Sequence, residues 1–405
     1  MGDDCQLFTN RLPDEADEIW LTTCFTFDIP HALGIVREAK NRAPVVKVGG
    51  VSATLLPEHF EREGVEVHRG LIPEAEQCHP DYSLLPERPK YSIAHTSRGC
   101  VRKCKFCMVH RLEPEFHNRD WIGDLAPGAK KILFYDNNWL AKGVGDLRHD
   151  ITLIRGLVKM GHITSVDFNQ GLDCRLLTDE KADMLQGLPV KPVRFAFDGM
   201  QEDGHYQRAV RMMAARGHRN FMTYVLYNFM DTPQDFYYRL RVSVELEMEL
   251  SASVGSFPMR FQPILDADSG RSYVGKHWTP EQKKGFMGIL NQQSIGGAIS
   301  CGGKVNVSSF PMRYTPIMEI DSDRAYVGDT WTPEKRASVR ILTGKAGHGD
   351  QVSPRGGRTM SPIQEFEYWF GKDADEFDRL LSYPKIRELA QRKKGALRME
   401  RARAK

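Results

Sequence analysis

Apolar and polar positions along this chain alternate in short runs separated by longer stretches of helical period, and that rhythm predicts an α/β protein. Between residues 18 and 70 the runs IWLTTCF, VVKVGG and VEVHRG read as strands, with HALGIVREAK and PEHFEREG as helices between them. Three strands joined by helices predict a short parallel, Rossmann-like α/β unit. A Pro-punctuated segment, HPDYSLLPERPK at 79–90, reads as a linker.

The rhythm restarts at Tyr91 with a longer period. Strand candidates are YSIAHTS, KKILFYDNN, SVDFNQGL, PVRFAFDG, NFMTYVLYN and SFPMRFQPI. Helical stretches such as DITLIRGLVKMG, EKADMLQGL, HYQRAVRMMAARG and QDFYYRLRVSVELEMEL separate most of them. Six βα units in 91–265 predict a curved parallel sheet or a partial (β/α)6, TIM-like barrel. Such folds place their chemistry at the C-terminal strand ends.

Residues 257–281, FPMRFQPILDADSGRSYVGKHWTPE, recur at 310–334 as FPMRYTPIMEIDSDRAYVGDTWTPE, with 16 of 25 positions identical. Two copies are too few for a solenoid. A barrel needs one closing strand here, so one copy reads as an addition. The Gly-rich NQQSIGGAISCGGK and GKAGHGDQVSPRGGR read as connectors. The expected layout is an N-terminal unit at 1–78, the linker at 79–90 and a barrel at 91–265. A C-terminal extension at 266–345 and a connector with a basic helical tail at 346–405 complete it.

Composition narrows the class. The 405 residues are 41% hydrophobic and 27% charged, and no run approaches the roughly 18 apolar residues that span a bilayer. The start, MGDDCQLFTNRLPDEADE, lacks the basic and apolar regions of a secretion signal, so the expected location is cytoplasmic, without a membrane. The net charge of +3 hides a tail, Lys385 to Lys405, with nine basic residues against Glu388 and Glu400. Such a block suits RNA or stands simply as a solvated helix end. Eight cysteines, three of them clustered, argue for reduced thiols with a metal role.

The cluster is Ser97-Arg-Gly-Cys-Val-Arg-Lys-Cys-Lys-Phe-Cys107, spaced C-x3-C-x2-C after a predicted strand. Thiolates are the ligands of iron–sulfur clusters, and three on one loop leave a fourth iron open. The alternative is a structural zinc site, which needs four ligands, the fourth drawn from His95, His110 or His117.

With Phe106 in the aromatic place of C-x3-C-x-aromatic-C, residues 91–265 resemble the radical S-adenosylmethionine (SAM) family. The resemblance implies a [4Fe-4S] cluster on Cys100, Cys104 and Cys107, with SAM held at the open iron by its amino and carboxylate groups. It implies cleavage of SAM to methionine and a 5′-deoxyadenosyl radical that takes hydrogen from an unidentified substrate, with methyl or sulfur transfer as candidate outcomes. An electron donor such as flavodoxin or ferredoxin is implied as partner. Asp136, Asn137 and Asn138 fall where the family meets the SAM amino group. Gln170, Asp173 and Arg175 follow the third strand, Arg175 suiting the SAM carboxylate. Asp198 ends the fourth strand, and Tyr227 and Asn228 end the fifth, where adenine is met. Each is equally an ordinary turn residue, and recurrence at successive strand ends is what favours a ligand.

The N-terminal unit resembles the later part of the cobalamin-binding domain that precedes many radical SAM cores, which adds cobalamin as a candidate cofactor. Asp28-Ile-Pro-His31-Ala-Leu-Gly34 departs from the family's D-x-H-x-x-G loop by one residue between Asp and His. Three rival readings stand beside this one. They are an RNA-modifying enzyme of the same family using the basic tail, a non-catalytic zinc module, and a chain whose duplication has disabled the barrel.

Overall fold

The N-terminal alternation resolves into strands β1 (Glu18–Thr23), β2 (Val45–Gly50) and β3 (Glu66–Val67), parallel in the order β1-β2-β3. The computed structural model describes residues 5–8, 11–85, 87–265, 272–286 and 361–382. The second FPMR copy at 310–334, both Gly-rich connectors, Cys301 and the basic tail lie outside the described residues. Helix α1 (Ile29–Ala39) turns Ile29, Val36 and Ala39 onto the sheet, where Val46 and Val48 are buried. Its early proline is tolerated because a first-turn N–H has no intrahelical acceptor. The short helices α2 (Val51–Leu55) and α3 (Glu58–Glu61) follow, Phe60 filling the same core. Gly50 has φ +92°, and a Cβ there would stand 2.5 Å from the Thr23 carbonyl oxygen, so only glycine fits this strand end. His31 is exposed on α1.

After α4 (Pro73–Glu76), the run YSIAHTS divides in two. Its first part is β4 (Ser92–Ala94), and its second is β5 (Ser97–Arg98), which pairs antiparallel with β6 (His117–Asn118). Between β5 and β6 lie the cysteines and α5 (Val109–Leu112). Strands β7 (Lys131–Phe134) and β8 (Ser165–Phe168) complete a parallel sheet in the order β4-β7-β8. Ala94, Ile132, Phe134, Val166 and Phe168 form its buried face. Trp121 meets Phe134 edge-on at 5.1 Å, and Trp139 lies 4.4 Å from Phe168. Helices α6 (Val144–Lys159) and α7 (Asp179–Leu185) supply further buried side chains, among them Leu147, Ile151, Ile154 and Leu185. The mixed α/β class and the parallel strands match the expectation from the apolar pattern.

The chain divides into two compact units, the first running to Arg194 and the second beginning at Phe195, with 262–273 assigned to the first. That boundary falls within β9 (Val193–Ala196). In the second unit, α8 (His205–Ala215) leads to β10 (Asn220–Tyr227), and α9 (Pro233–Leu250) to β11 (Ser253–Arg260). β10 and β11 are parallel, with Phe221 opposite Val254 and Tyr227 opposite Arg260, so Phe257–Arg260, the FPMR residues that open the first copy, are strand. Thr232 and Asp235 form a capping box at the start of α9, satisfying backbone donors that the first turn leaves open. Tyr227, Phe236, Trp278, Phe286, Phe366, Phe370 and Phe377 form one aromatic core, to which the helices Pro362–Phe370 and Ala374–Ser382 contribute. Among the described residues no helix is long and apolar enough to cross a membrane.

Candidate cysteine-loop site

The neck of the loop is set by backbone. Gly99 has φ +75°, and a Cβ there would stand 2.3 Å from the Glu115 carbonyl oxygen, so a side chain would open the β5–β6 pair. Beyond it Cys100, Cys104 and Cys107 are half-buried thiols. The Cys107 N–H donates to the Cys104 carbonyl at 3.0 Å, which makes the last two ligand candidates a tight turn. Among the described residues no three His, Cys, Asp or Glu side chains converge in metal-binding geometry. The loop therefore gathers the donors in sequence without closing them on a point.

Around the first thiol the polar groups of three strand ends meet. Asn138 is 4% exposed; its Nδ2 donates to Cys100 Sγ at 3.6 Å and to Asp173 Oδ2 at 3.3 Å. Its Oδ1 is buried and has no hydrogen-bond partner. The Arg102 backbone N–H also donates to Cys100 Sγ, at 3.3 Å. Asp173 accepts from Arg102 Nε at 2.9 Å and from Arg175 Nε at 2.7 Å. Burial pushes the Asp173 carboxyl up, but Arg175 and Arg102 together outweigh it and hold the group below the usual carboxylate range. Its charge thus latches the cysteine loop to the segment that follows β8.

Beneath the loop lies a second network. Asp136 is 3% exposed and accepts from the Thr96 N–H at 3.2 Å, Thr96 Oγ1 at 2.8 Å and Ser97 Oγ at 2.7 Å. Burial raises its pKa despite those donors. Lys142, also buried, donates to the Thr96 carbonyl at 3.1 Å and to Asp150 Oδ2 at 2.6 Å. Asp150 in turn accepts from the indoles of Trp121 and Trp139, each at 3.1 Å. These bonds commit Asp136 to holding the residues that lead into the cysteines. His95 is pushed down to about 4, chiefly by burial and then by the Arg98 charge, so its imidazole is neutral at pH 7.

The structure brings Asn138, Asp173 and Arg175 together around Cys100. Asn137 points instead to Glu113 Oε2 at 2.8 Å, Gln170 is exposed and Phe106 is half-buried on the loop. In the second unit, Asp198 accepts the Leu226 N–H at 3.1 Å. Tyr227 sits in the aromatic core. Asn228 has φ +65°; its Nδ2 donates to the Phe261 carbonyl at 3.2 Å and its Oδ1 accepts the Gly275 N–H at 2.8 Å. Its amide is spent on framing the turn. Sequence reasoning missed Glu113, Lys142 and Arg239, each of which has at least one partner 14 to 46 residues away.

No model of a known protein family matches the chain. A curated relative is the ribosomal protein uS12 methylthiotransferase RimO of Bordetella petrii, 26% identical over 143 residues, which are 30% of this chain and 32% of the relative. The chain thus spans about a third of that protein's length. Among solved structures it is similar to the radical SAM methyltransferase TsrM of Kitasatospora setae with cobalamin and a [4Fe-4S] cluster bound. The identity there is 14%, covering 93% of this chain and 89% of that one, with a TM-score of 0.47. It is also similar to the cobalamin-dependent SAM radical enzyme OxsB with aqua-cobalamin and SAM bound, at 15% identity over 56% of this chain and 44% of that one, TM-score 0.43. The resemblance is to radical SAM enzymes.

Proposed function

We propose that this chain is a radical SAM enzyme. In this reading residues 91–265 form a partial TIM-like barrel, and residues 1–78 a Rossmann-like unit of the cobalamin-binding kind. The observation that carries it is Asn138: a buried side chain whose amide N–H already donates to Cys100 Sγ and whose oxygen waits for a donor. A buried acceptor without a partner costs about 1–3 kcal/mol, which a bound N–H donor recovers. The SAM amino group is such a donor, and it belongs beside the cluster.

The donor set fits a [4Fe-4S] cluster in kind and number. Cys100, Cys104 and Cys107 would hold it, with N–H donors from Asn138 and Arg102 already directed at one sulfur. Hydrogen bonds to the sulfurs are among the features that set a cluster's potential. A cluster held there would supply the one-electron reduction by which the family cleaves SAM. Asn138 would receive the amino group, while Asp173 keeps Arg102 and Arg175 in place at the rim. Arg175, paired with Asp173 at 2.7 Å, would be the cation nearest the SAM carboxylate. The substrate, a methyl or sulfur outcome, and an electron donor of the flavodoxin or ferredoxin type belong to this reading, as does cobalamin on the N-terminal unit.

The test is anaerobic reconstitution with iron and sulfide, then dithionite and SAM, with 5′-deoxyadenosine assayed for the native chain and for Cys104→Ala. The expected result is a brown protein whose 5′-deoxyadenosine formation is abolished in the variant. A colourless zinc protein that leaves SAM intact would sink the reading and leave a structural metal module.

A further inference from the structure

The neck of the cysteine loop is closed by one carboxylate that no motif announces. Glu113 is the residue that ends α5, 14 positions after Gly99 and on the far side of all three cysteines. Its Oε2 accepts the Gly99 N–H at 2.7 Å, one residue before Cys100, and also Asn137 Nδ2 at 2.8 Å. Its side chain is 14% exposed, and Arg98 Nη1 stands 3.6 Å from its Oε1. The Arg98 fork itself is occupied by Glu76, at 2.8 and 2.7 Å from Nε and Nη2.

From this geometry we infer that Glu113 is a positioning residue that clasps the loop shut and fixes where Cys100 enters the site. The inference rests on the cluster reading above for its consequence, though the clasp itself is a property of the metal-free chain. Three separate pieces of chain end on this side chain: the loop entry through Gly99, the loop exit through Glu113 itself, and the end of β7 through Asn137. Closing a loop before its ligand arrives reduces the ordering that binding must otherwise supply. The partly buried setting strengthens the bonds relative to water.

Both accepted hydrogen bonds land on the same oxygen. A glutamine offers one carbonyl oxygen in the same place, so Glu113→Gln keeps both bonds and replaces the charged oxygen facing Arg98 by a neutral amide nitrogen. Glu113→Ala loses all three contacts. The two variants therefore separate acceptor geometry from charge.

The experiment is hydrogen exchange on the metal-free chain, read in the peptide spanning 99–107, followed by iron content and the electron paramagnetic resonance spectrum after reconstitution. Glu113→Ala is expected to exchange about tenfold faster than the native chain in that peptide and to bind less iron with a changed spectrum. Glu113→Gln is expected to match the native chain in exchange and iron content. Native exchange in the alanine variant, or equally fast exchange in the glutamine variant, overturns the clasp. A native chain that takes up no iron sinks the cluster reading, and the exchange contrast then decides the clasp by itself.

Discussion

The strand ends of the two units carry similar residues and use them differently. Around Cys100, Asn138 and Asp173 form a network that touches a thiol and leaves one buried acceptor unmet. At the end of β10, Asn228 spends both ends of its amide on backbone groups. Nearby Arg239, fully buried, donates to the carbonyls of Phe197 and Leu226 and to Asp231, each at 2.8 Å. A strand end whose polar atoms are all matched holds a fold. Around Cys100 the leftover acceptor is the Asn138 oxygen, and on the proposed function it is the group that a bound N–H donor would satisfy.

The largest effect is expected for Arg239→Met. It leaves Asp231 buried without its partner, and loss of about 3–5 kcal/mol of unfolding free energy is expected by urea denaturation. A loss below that would mean that the guanidinium is not a brace.

Next in size is the pH dependence carried by His95. Its folded pKa is depressed to about 4, whereas an unfolded histidine titrates near 6.5. Between those values the unfolded chain binds the extra proton. The stabilisation is thus complete above about pH 6.5 and is lost as pH falls toward 4. Arg98 and Arg119 oppose the charged form, and Glu76 and Asp124 favour it, so burial decides the sign. From pH 7 to 5 the loss is about 2 kcal/mol. Relative to native, His95→Leu should show a shallower fall in stability over that interval, and parallel curves would exclude His95 as the source.

Asn228→Ala removes two backbone braces at a left-handed position and should cost about 1–2 kcal/mol of stability. SAM affinity of the reconstituted protein should not change. A weakened affinity with unchanged melting would reverse the assignment of that strand end. Asn138→Ala is expected to do the opposite, weakening SAM binding about tenfold by calorimetry with little change in melting. Equal SAM binding in that variant would remove the unmet acceptor from the site.

The strands were legible because the apolar period is local, and five of the six barrel-strand candidates appear close to where the alternation puts them. The exception is YSIAHTS, which splits at His95 and Thr96 so that Ser97 and Arg98 can pair with Asn118 and His117. Nothing in the local pattern marks that turn away from the sheet. At the site, the cysteine spacing was legible because all three donors lie within eight residues. Tyr227 and Asn228 were legible as polar or aromatic residues at a strand end, and the structure adds that Tyr227 packs in the aromatic core and Asn228 bonds the backbone of Phe261 and Gly275.

The α/β class, the succession of strands, the cysteine loop and the duplicated FPMR segment are all properties of short windows and can be read from the chain alone. Folding in three dimensions sets the rest: Asp173 meets Arg102 across 71 residues, Glu113 closes on Gly99, and Asn138 rather than Asn137 faces the thiol. The physical reason is that a hydrogen bond or ion pair depends on distance and burial in space. Residue type and spacing announce a donor or acceptor, and packing alone assigns its partner.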